Sequence, residues 1–145
     1  MAGKLALASD HGGFALKQLI KEALIKDKIE VEDIGTHSEV SVDYPDFAHQ
    51  LAEAITSGRC ARGILICGTG IGVSIAVNRH AGVRAALCAE PFSARMSREH
   101  NDANVLCLGG RVVGPALALE TVKAFLHGEF EGGRHIGRIN KIEIQ

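Results

Sequence analysis

The sequence predicts a single α/β domain in three layers, a five-stranded parallel sheet with helices on both faces. Three observations carry that prediction. Short apolar runs alternate with longer amphipathic ones five times, the pattern of successive βαβ units. The chain has 145 residues, the length of one domain. Hydrophobic residues make up 46% and charged residues 23%, ordinary proportions for a chain that folds around a core.

Residues 4–9 (KLALAS) read as the first strand, a short apolar run that ends at a polar, glycine-containing turn. Residues 12–26 read as a helix, because Phe14, Leu16, Leu19, Ile20, Ala23 and Leu24 recur near one face. Residues 29–34 form an alternating second strand, less buried because Glu30, Glu32 and Asp33 interleave. Asp43, Tyr44 and Pro45 mark a helix start, with an acid near the cap and proline in the first turn. Phe47, Ala48, Leu51, Ala52 and Ile55 then repeat at helical spacing until Gly58. Residues 63–67 (GILIC) are the most apolar strand and are predicted to be central. The glycines from Gly68 to Gly72 form a loop that opens a helix reaching about Arg79. Residues 83–88 (VRAALC) are the fourth strand, 91 to about 100 a short helix, and 105–109 (VLCLG) the fifth strand. Residues 115–127 are a further helix, striped by Leu119, Val122, Phe125 and Leu126. A breaker region, 128–133, precedes a basic tail from Arg134 to Lys141.

Composition narrows the function classes. Sixteen basic and 17 acidic residues give a formal charge of −1, which gives no support to a polyanion-coating protein. Aromatics are only 4%, with no Trp, so base stacking is poorly supplied and nucleic acid is not an expected partner. The longest uncharged stretch, 63–78, is interrupted by glycine and falls short of the roughly 18–20 apolar residues of a spanning helix. The first ten residues hold too short an apolar run for a signal peptide. Cys60, Cys67, Cys88 and Cys107 form no C-x-x-C pair, so a reducing cytoplasm is the expected location.

In open parallel sheets ligands bind beyond the carboxyl ends of the strands, where the winding direction reverses. Two strand ends are unusual here: Ser9-Asp10-His11-Gly12-Gly13, and Cys67-Gly68-Thr69-Gly70-Ile71-Gly72. Neighbouring first and third strands would let both loops line one crevice, which predicts the order 2-1-3-4-5. Gly68 and Gly70 fit a dinucleotide fingerprint, but the third glycine comes one residue early and position 73 is Val; Glu90, at the end of the following strand where a ribose-binding acid would sit, keeps that reading as a minor alternative. A nucleotide P-loop would need a following lysine, and a cysteine-phosphatase loop would need arginine at 73. A nest of backbone N–H groups suited to any anion remains, alongside a tight turn with no ligand.

The same residues allow bland and chemical readings. A helix start favours the thiolate of a cysteine just before it, which marks Cys67; a buried strand cysteine is the other reading. His11 follows Asp10 at a strand end. His100, in Arg98-Glu99-His100-Asn101-Asp102, is a site group or an exposed capping residue. His37, His49, His80 and His127 read as surface residues, and His135 as a companion of the nearby arginines. No compact histidine set appears, so no metal or other cofactor is expected. Arg134 and Arg138, four apart, suit a phosphate clamp or a solvated tail. Arg111 again sits at a strand's carboxyl end.

Taken together, Ser-Asp-His-Gly-Gly at 9–13, Asp43-Tyr44-Pro45, Ile66-Cys67-Gly68-Thr69-Gly70-Ile71-Gly72, residues 98–102, Gly110-Arg111-Val112-Val113-Gly114 and Glu131-Gly132-Gly133-Arg134-His135 resemble the type B ribose-5-phosphate isomerases, a family that includes the galactose-6-phosphate isomerase subunits. The match runs through essentially the whole chain in order. It implies a Rossmann-like single domain over 1–145, a homodimer or dimer of dimers with the site between subunits, and a tail at 128–145 serving phosphate binding and subunit contacts. It implies interconversion of D-ribose 5-phosphate and D-ribulose 5-phosphate through an enediolate, without metal. By that match Cys67 is the base, His100 assists furanose ring opening, and Asp10 and Thr69 are polar helpers. The N–H groups of Gly68, Thr69, Gly70, Ile71, Gly72 and on to Ser74 meet the enediolate charge. His11, Arg134 and Arg138 take the phosphate, and Tyr44, Asn101 and Arg111 hold the sugar. Some relatives use a glutamate base instead; Ser74 follows Gly72-Val73 here, which indicates the cysteine variant. Two rival readings stay open, an isomerase of a 6-phosphate hexose (allose or galactose 6-phosphate) and a non-catalytic sugar-phosphate or nucleotide binder.

Overall fold

A computed structural model of the chain describes residues 3–144. Met1 and Ala2, which fall in the stretch read for a leader, and Gln145, the last residue of the tail, lie outside the described residues. Strands β1 (Leu5–Ser9), β2 (Val31–Gly35), β3 (Arg62–Cys67), β4 (Ala85–Leu87) and β5 (Val105–Gly109) form one sheet, and every pairing in it is parallel. The helices are α1 (Phe14–Lys26), α2 (Tyr44–Thr56), α3 (Ile71–Val77), α4 (Pro91–Asn101), α5 (Pro115–His127) and α6 (Arg134–Asn140). A 3₁₀ turn over His11–Gly13 leads into α1. The fold is the Rossmann-like three-layer arrangement expected of a chain alternating strand and helix.

The strand order is β2-β1-β3-β5-β4, so the last two strands exchange places relative to the expected 2-1-3-4-5. Burial explains the exchange. Every residue of β5 is buried, whereas the three residues of β4 are partly or fully exposed. The uniformly apolar strand takes the interior place beside β3, and the shorter one takes the edge. The basic tail is also more ordered than its composition suggests: residues 134–140 form helix α6.

Alternation along the strands divides the core. Leu5, Leu7, Ile64, Ile66, Leu106 and Leu108 face α1, α4 and α5, whose Leu16, Ile20, Ala94, Val122 and Phe125 complete one cluster. Ala6, Ala8, Leu65, Val105 and Cys107 face the other way, against Ala48, Leu51 and Ala52 of α2 and Val73 and Val77 of α3. Each fully buried leucine or phenylalanine contributes about 1.5–3 kcal/mol of apolar transfer free energy. The α1 face departs from its apolar stripe at one position. Lys17 is fully buried, and its Nζ donates to Asp33 Oδ1 of β2 at 2.5 Å. Lys21 reaches the other carboxylate oxygen at 2.9 Å, and the Gly35 N–H donates to Oδ1 at 3.0 Å. Beside this cluster the β1–β2 register shifts between Leu7 and Ala8.

Candidate active site

Loops from the carboxyl ends of β1, β3 and β5 converge over the sheet. A Cβ on Gly12 would lie 3.2 Å from the Gly68 nitrogen, and one on Gly110 would lie 2.9 Å from the Gly12 carbonyl oxygen. The Gly110 and Arg111 N–H groups donate to the Cys67 and Gly68 carbonyls at 2.8 and 2.9 Å, which ties the third loop to the second. The expected crevice between the first and third strands is therefore present, with the fifth strand as its other wall.

Cys67 ends β3 and is 5% exposed. Its sulfur accepts the Gly70 N–H at 3.2 Å. Gly70 makes that possible: its φ of +79° is left-handed, and a Cβ there would meet Leu87 at 2.5 Å and the Leu108 backbone at 2.8 Å. The other three cysteines are shifted toward the protonated thiol. Burial, with a smaller push from Glu90, raises Cys88 to about 11. Burial likewise raises Cys107, and raises Cys60 with help from the Glu32 carboxylate. All four thiols are free.

The neighbours of Cys67 at this end are those expected from the sequence. Asp10 is buried, and its Oδ1 accepts the Gly13 N–H at 3.1 Å, capping the 3₁₀ turn. His11 Nδ1 accepts the Val42 N–H at 3.1 Å, which leaves Nε2 as its free nitrogen. The Tyr44 ring lies on Gly72, where a Cβ would sit 2.7 Å from the ring, and the Arg111 guanidinium lies over Gly68 in the same manner at 3.3 Å. Thr69 is exposed, with Oγ1 accepting the Ile71 N–H at 3.2 Å. Ser74 donates its hydroxyl to the Ile71 carbonyl at 2.7 Å.

His100, Asn101, Arg134 and Arg138 lie elsewhere. Helix α4 runs back across the sheet, so its last residues reach the amino ends of the strands. There Arg84, just before β4, donates to the Asn101 carbonyl at 3.1 Å, and the Gly63 N–H of β3 donates to the Asn104 carbonyl at 2.9 Å. Helix α5 finishes at the same end, where Arg62 donates to the Phe125 and Leu126 carbonyls at 3.2 and 2.9 Å. Helix α6 follows it and carries Arg134 and Arg138 as exposed residues four apart. The length of the strands therefore lies between this group and the Cys67 loop.

Sequence reading missed two members of this second group. His135 is 5% exposed, and its ring stacks on that of His100 with centroids 4.5 Å apart and planes 15° apart. Glu131 lies four residues before it, ahead of the start of α6, with its carboxylate beside both rings. The available signal was the i, i+4 spacing of Glu131 and His135, which reading His135 as a companion of the arginines passes over. These three side chains have ligand atoms within 4.8 Å of one another, close enough to attract a metal ion. Their orientation does not suit one. An imidazole binds metal in its own plane, and two stacked, near-parallel planes share no such point. Arg134 and Arg138 also add positive charge around His135. Among the described residues, no helix is long and apolar enough to cross a membrane.

Residues 5–142 match the family model described as Ribose/Galactose Isomerase. The chain is 51% identical over 139 residues to ribose-5-phosphate isomerase B of Escherichia coli strain K12, covering 96% of this chain and 93% of that one. The solved ribose-5-phosphate isomerase B of Clostridium thermocellum superposes with a TM-score of 0.95 at 57% identity, over 96% of this chain and 94% of that one. The Mycoplasma genitalium ribose-5-phosphate isomerase B, solved with bound ribulose-5-phosphate, gives 0.92 at 43% identity, over 98% and 95%. With the three-loop crevice, the cysteine on its glycine turn and similarity along nearly the whole chain, this protein belongs to the ribose/galactose isomerase family.

Proposed function

We propose that this chain interconverts D-ribose 5-phosphate and D-ribulose 5-phosphate through an enediolate, with Cys67 as the base. The observation that carries the reading is the Cys67 sulfur facing the Gly70 N–H where the three loops meet. In the open-chain aldose, Cys67 thiolate takes the proton from C2 as the C1 carbonyl oxygen becomes an enediolate oxygen; the O2 hydroxyl proton passes to O1, directly or through solvent, and as the C2 carbonyl forms the thiol returns its proton to C1. Loop N–H groups between Gly68 and Ser74 meet the charge on the two oxygens, with Asp10 and Thr69 as polar helpers. Such preorganised donors are typically worth about 2.7–4 kcal/mol each. The full-length similarity to a ribose-5-phosphate isomerase B favours the pentose phosphate. The direct test is turnover of ribose 5-phosphate beside allose 6-phosphate and galactose 6-phosphate. Binding without turnover of any of them overturns the reading in favour of a non-catalytic sugar-phosphate binder.

The site is proposed to be shared between subunits of a homodimer, or of a dimer of dimers, in the cytoplasm. Cys67 and His100 stand at opposite ends of one sheet, so a complete set needs a second copy to bring its His100, Asn101, Arg134 and Arg138 to the first copy's crevice. Residues 128–145 would then supply both phosphate ligands and subunit contacts. Mixing inactive Cys67→Ala and His100→Ala subunits after co-refolding is expected to restore about a quarter of wild-type activity, because half the dimers are mixed and each holds one intact site. No recovery would place both residues in one subunit's site and sink the shared arrangement.

In this assembly His11, Arg134 and Arg138 hold the phosphate, while Tyr44, Asn101 and Arg111 hold the sugar. Hydrogen bonds to a charged group contribute about 1.5–3 kcal/mol. Arg134→Ala and Arg138→Ala are each expected to raise KM about tenfold or more, with a smaller change in kcat, since the phosphate does not react. Steady-state kinetics checks this; an unchanged KM returns these arginines to the solvent.

A further inference from the structure

Glu131 has no part in the chemistry above. Its backbone N–H donates to the Glu99 carbonyl at 3.0 Å, which fastens the connection between α5 and α6 to the last turn of α4. From that anchor its carboxylate faces two imidazoles, with Oε1 3.9 Å from His100 Nε2 and Oε2 3.6 Å from His135 Nε2. Among the described residues, these rings are its only side-chain partners within ion-pair range. Among the described residues, the Nε2 of the buried His135 has no hydrogen-bond partner. A buried polar atom left in that state costs about 1–3 kcal/mol, and the Glu131 carboxylate is the acceptor beside it. Burial first, then Arg134 and His100, hold the His135 pKa below the usual histidine value.

We propose that Glu131 is a positioning residue that takes the Nε2 protons of His135 and His100 on its two oxygens, and so presents His100 Nδ1 as the free base of ring opening. The proposal rests on the reading of His100 as the ring-opening group. Stacking on the fixed His135 ring sets the plane of His100, and the carboxylate sets its rotation and tautomer. The present contacts are long for hydrogen bonds and must tighten by about 0.7–1 Å, as catalytic hydrogen bonds commonly do when substrate binds. In the step itself the anomeric O1–H bond breaks and its proton passes to Nδ1. The C1 carbonyl forms as the bond from C1 to the ring oxygen breaks, and the ring oxygen takes a proton from water. The resulting imidazolium stands against the Glu131 carboxylate until it returns its proton to solvent.

The test uses two reactions of the whole protein, of which only one needs a ring opened. Ribulose 5-phosphate has no furanose ring, so exchange of its C1 hydrogen with deuterium oxide, followed by NMR, reports proton transfer alone. For Glu131→Gln, turnover of ribose 5-phosphate is expected to fall about 10- to 100-fold, the loss usual when a carboxylate orienting a histidine is removed. Exchange into ribulose 5-phosphate is expected to stay within about twofold of wild type, and Glu131→Asp to recover part of the lost turnover. Equal loss in both reactions, or no loss in either, overturns the proposal. His100→Ala run in parallel separates the two levels: if it spares ring-dependent turnover, the ring-opening reading of His100 fails first.

Discussion

Cys67→Ala is expected to lower turnover of ribose 5-phosphate about 10²- to 10⁴-fold while leaving substrate binding close to wild type. A positioned base contributes that much because the proton on C2 is weakly acidic and water in the crevice is a poor acceptor. Alanine removes the sulfur and nothing else at the end of β3. The glycine turn, the Tyr44 and Arg111 contacts and the distant arginines remain, so the phosphate and sugar still find their partners. The fold tolerates the change, because one small buried side chain replaces another at a site that is already 5% exposed. Cys67→Ser is a stricter form of the same test, since it keeps the size and the acceptor for the Gly70 N–H but presents a far weaker acid. It is expected to fall almost as far. Both assays are run with a chelator, and the wild-type rate is expected to be indifferent to it. Equal activity in wild type and Cys67→Ala would falsify the base assignment.

Asp33→Asn is expected to cost about 3–5 kcal/mol of folding stability, a large part of the about 5–15 kcal/mol typical of a domain. The cost comes from Lys17, whose ammonium group is fully buried and would lose its anionic partner. Lys21 cannot take over, since it carries the same sign. Replacing both members, Lys17→Met with Asp33→Asn, is expected to cost less than Asp33→Asn alone, because no charge is then left in the core. Urea midpoints with unchanged m-values check both variants. The same carboxylate gives the wild type an acid limit. Burial alone would raise the Asp33 pKa, but hydrogen bonds from Lys17 and Lys21, the Lys17 charge and the Gly35 N–H hold it below the ordinary carboxylate value. A carboxyl with a depressed folded pKa contributes stability that is complete above its unfolded value, about 3.9, and lost as pH falls through the folded one. Wild-type stability is therefore expected to be steady from neutral pH to about 5 and to drop below about 4, and Asp33→Asn is expected to lack that part of the drop. A variant as stable as wild type at neutral pH would show that the ion pair does not hold β2 to α1.

Much of the fold was legible because periodicity reports local structure directly. The fifth strand and the 115–127 helix have the bounds read from the sequence, and the other elements differ by one to a few residues at their ends. What periodicity does not report is which strand lies beside which. Residues 83–88 and 105–109 both read as strands, and the exchange of their places follows from burial that the whole sheet decides. Arg84 before the one and the unbroken apolar run of the other were the available hints. Lys17 was illegible for a related reason: a lysine within an apolar face reads as solvent-exposed until its partner, 16 residues later on another strand, is placed beside it. The residues of the crevice were legible as motifs at strand ends. The place of His100, Asn101, Arg134 and Arg138 at the other end of the sheet was not legible in their spacing, which does not say at which end a helix finishes; only the family resemblance pointed to a site between subunits.

The two borders of the sheet carry a consequence for how copies of this chain can meet. A bare strand margin is a template for another chain, and proteins blunt such margins with charge, irregularity or brevity. One border, β2, carries Glu32 and Asp33 and slips out of step with β1 near its end. The other, β4, is three residues long. Neither offers the long flat rim that would let two sheets fuse into one continuous ribbon. Any contact between two copies would then run through side chains on the helices and loops, a route that selects a defined partner orientation over open-ended stacking.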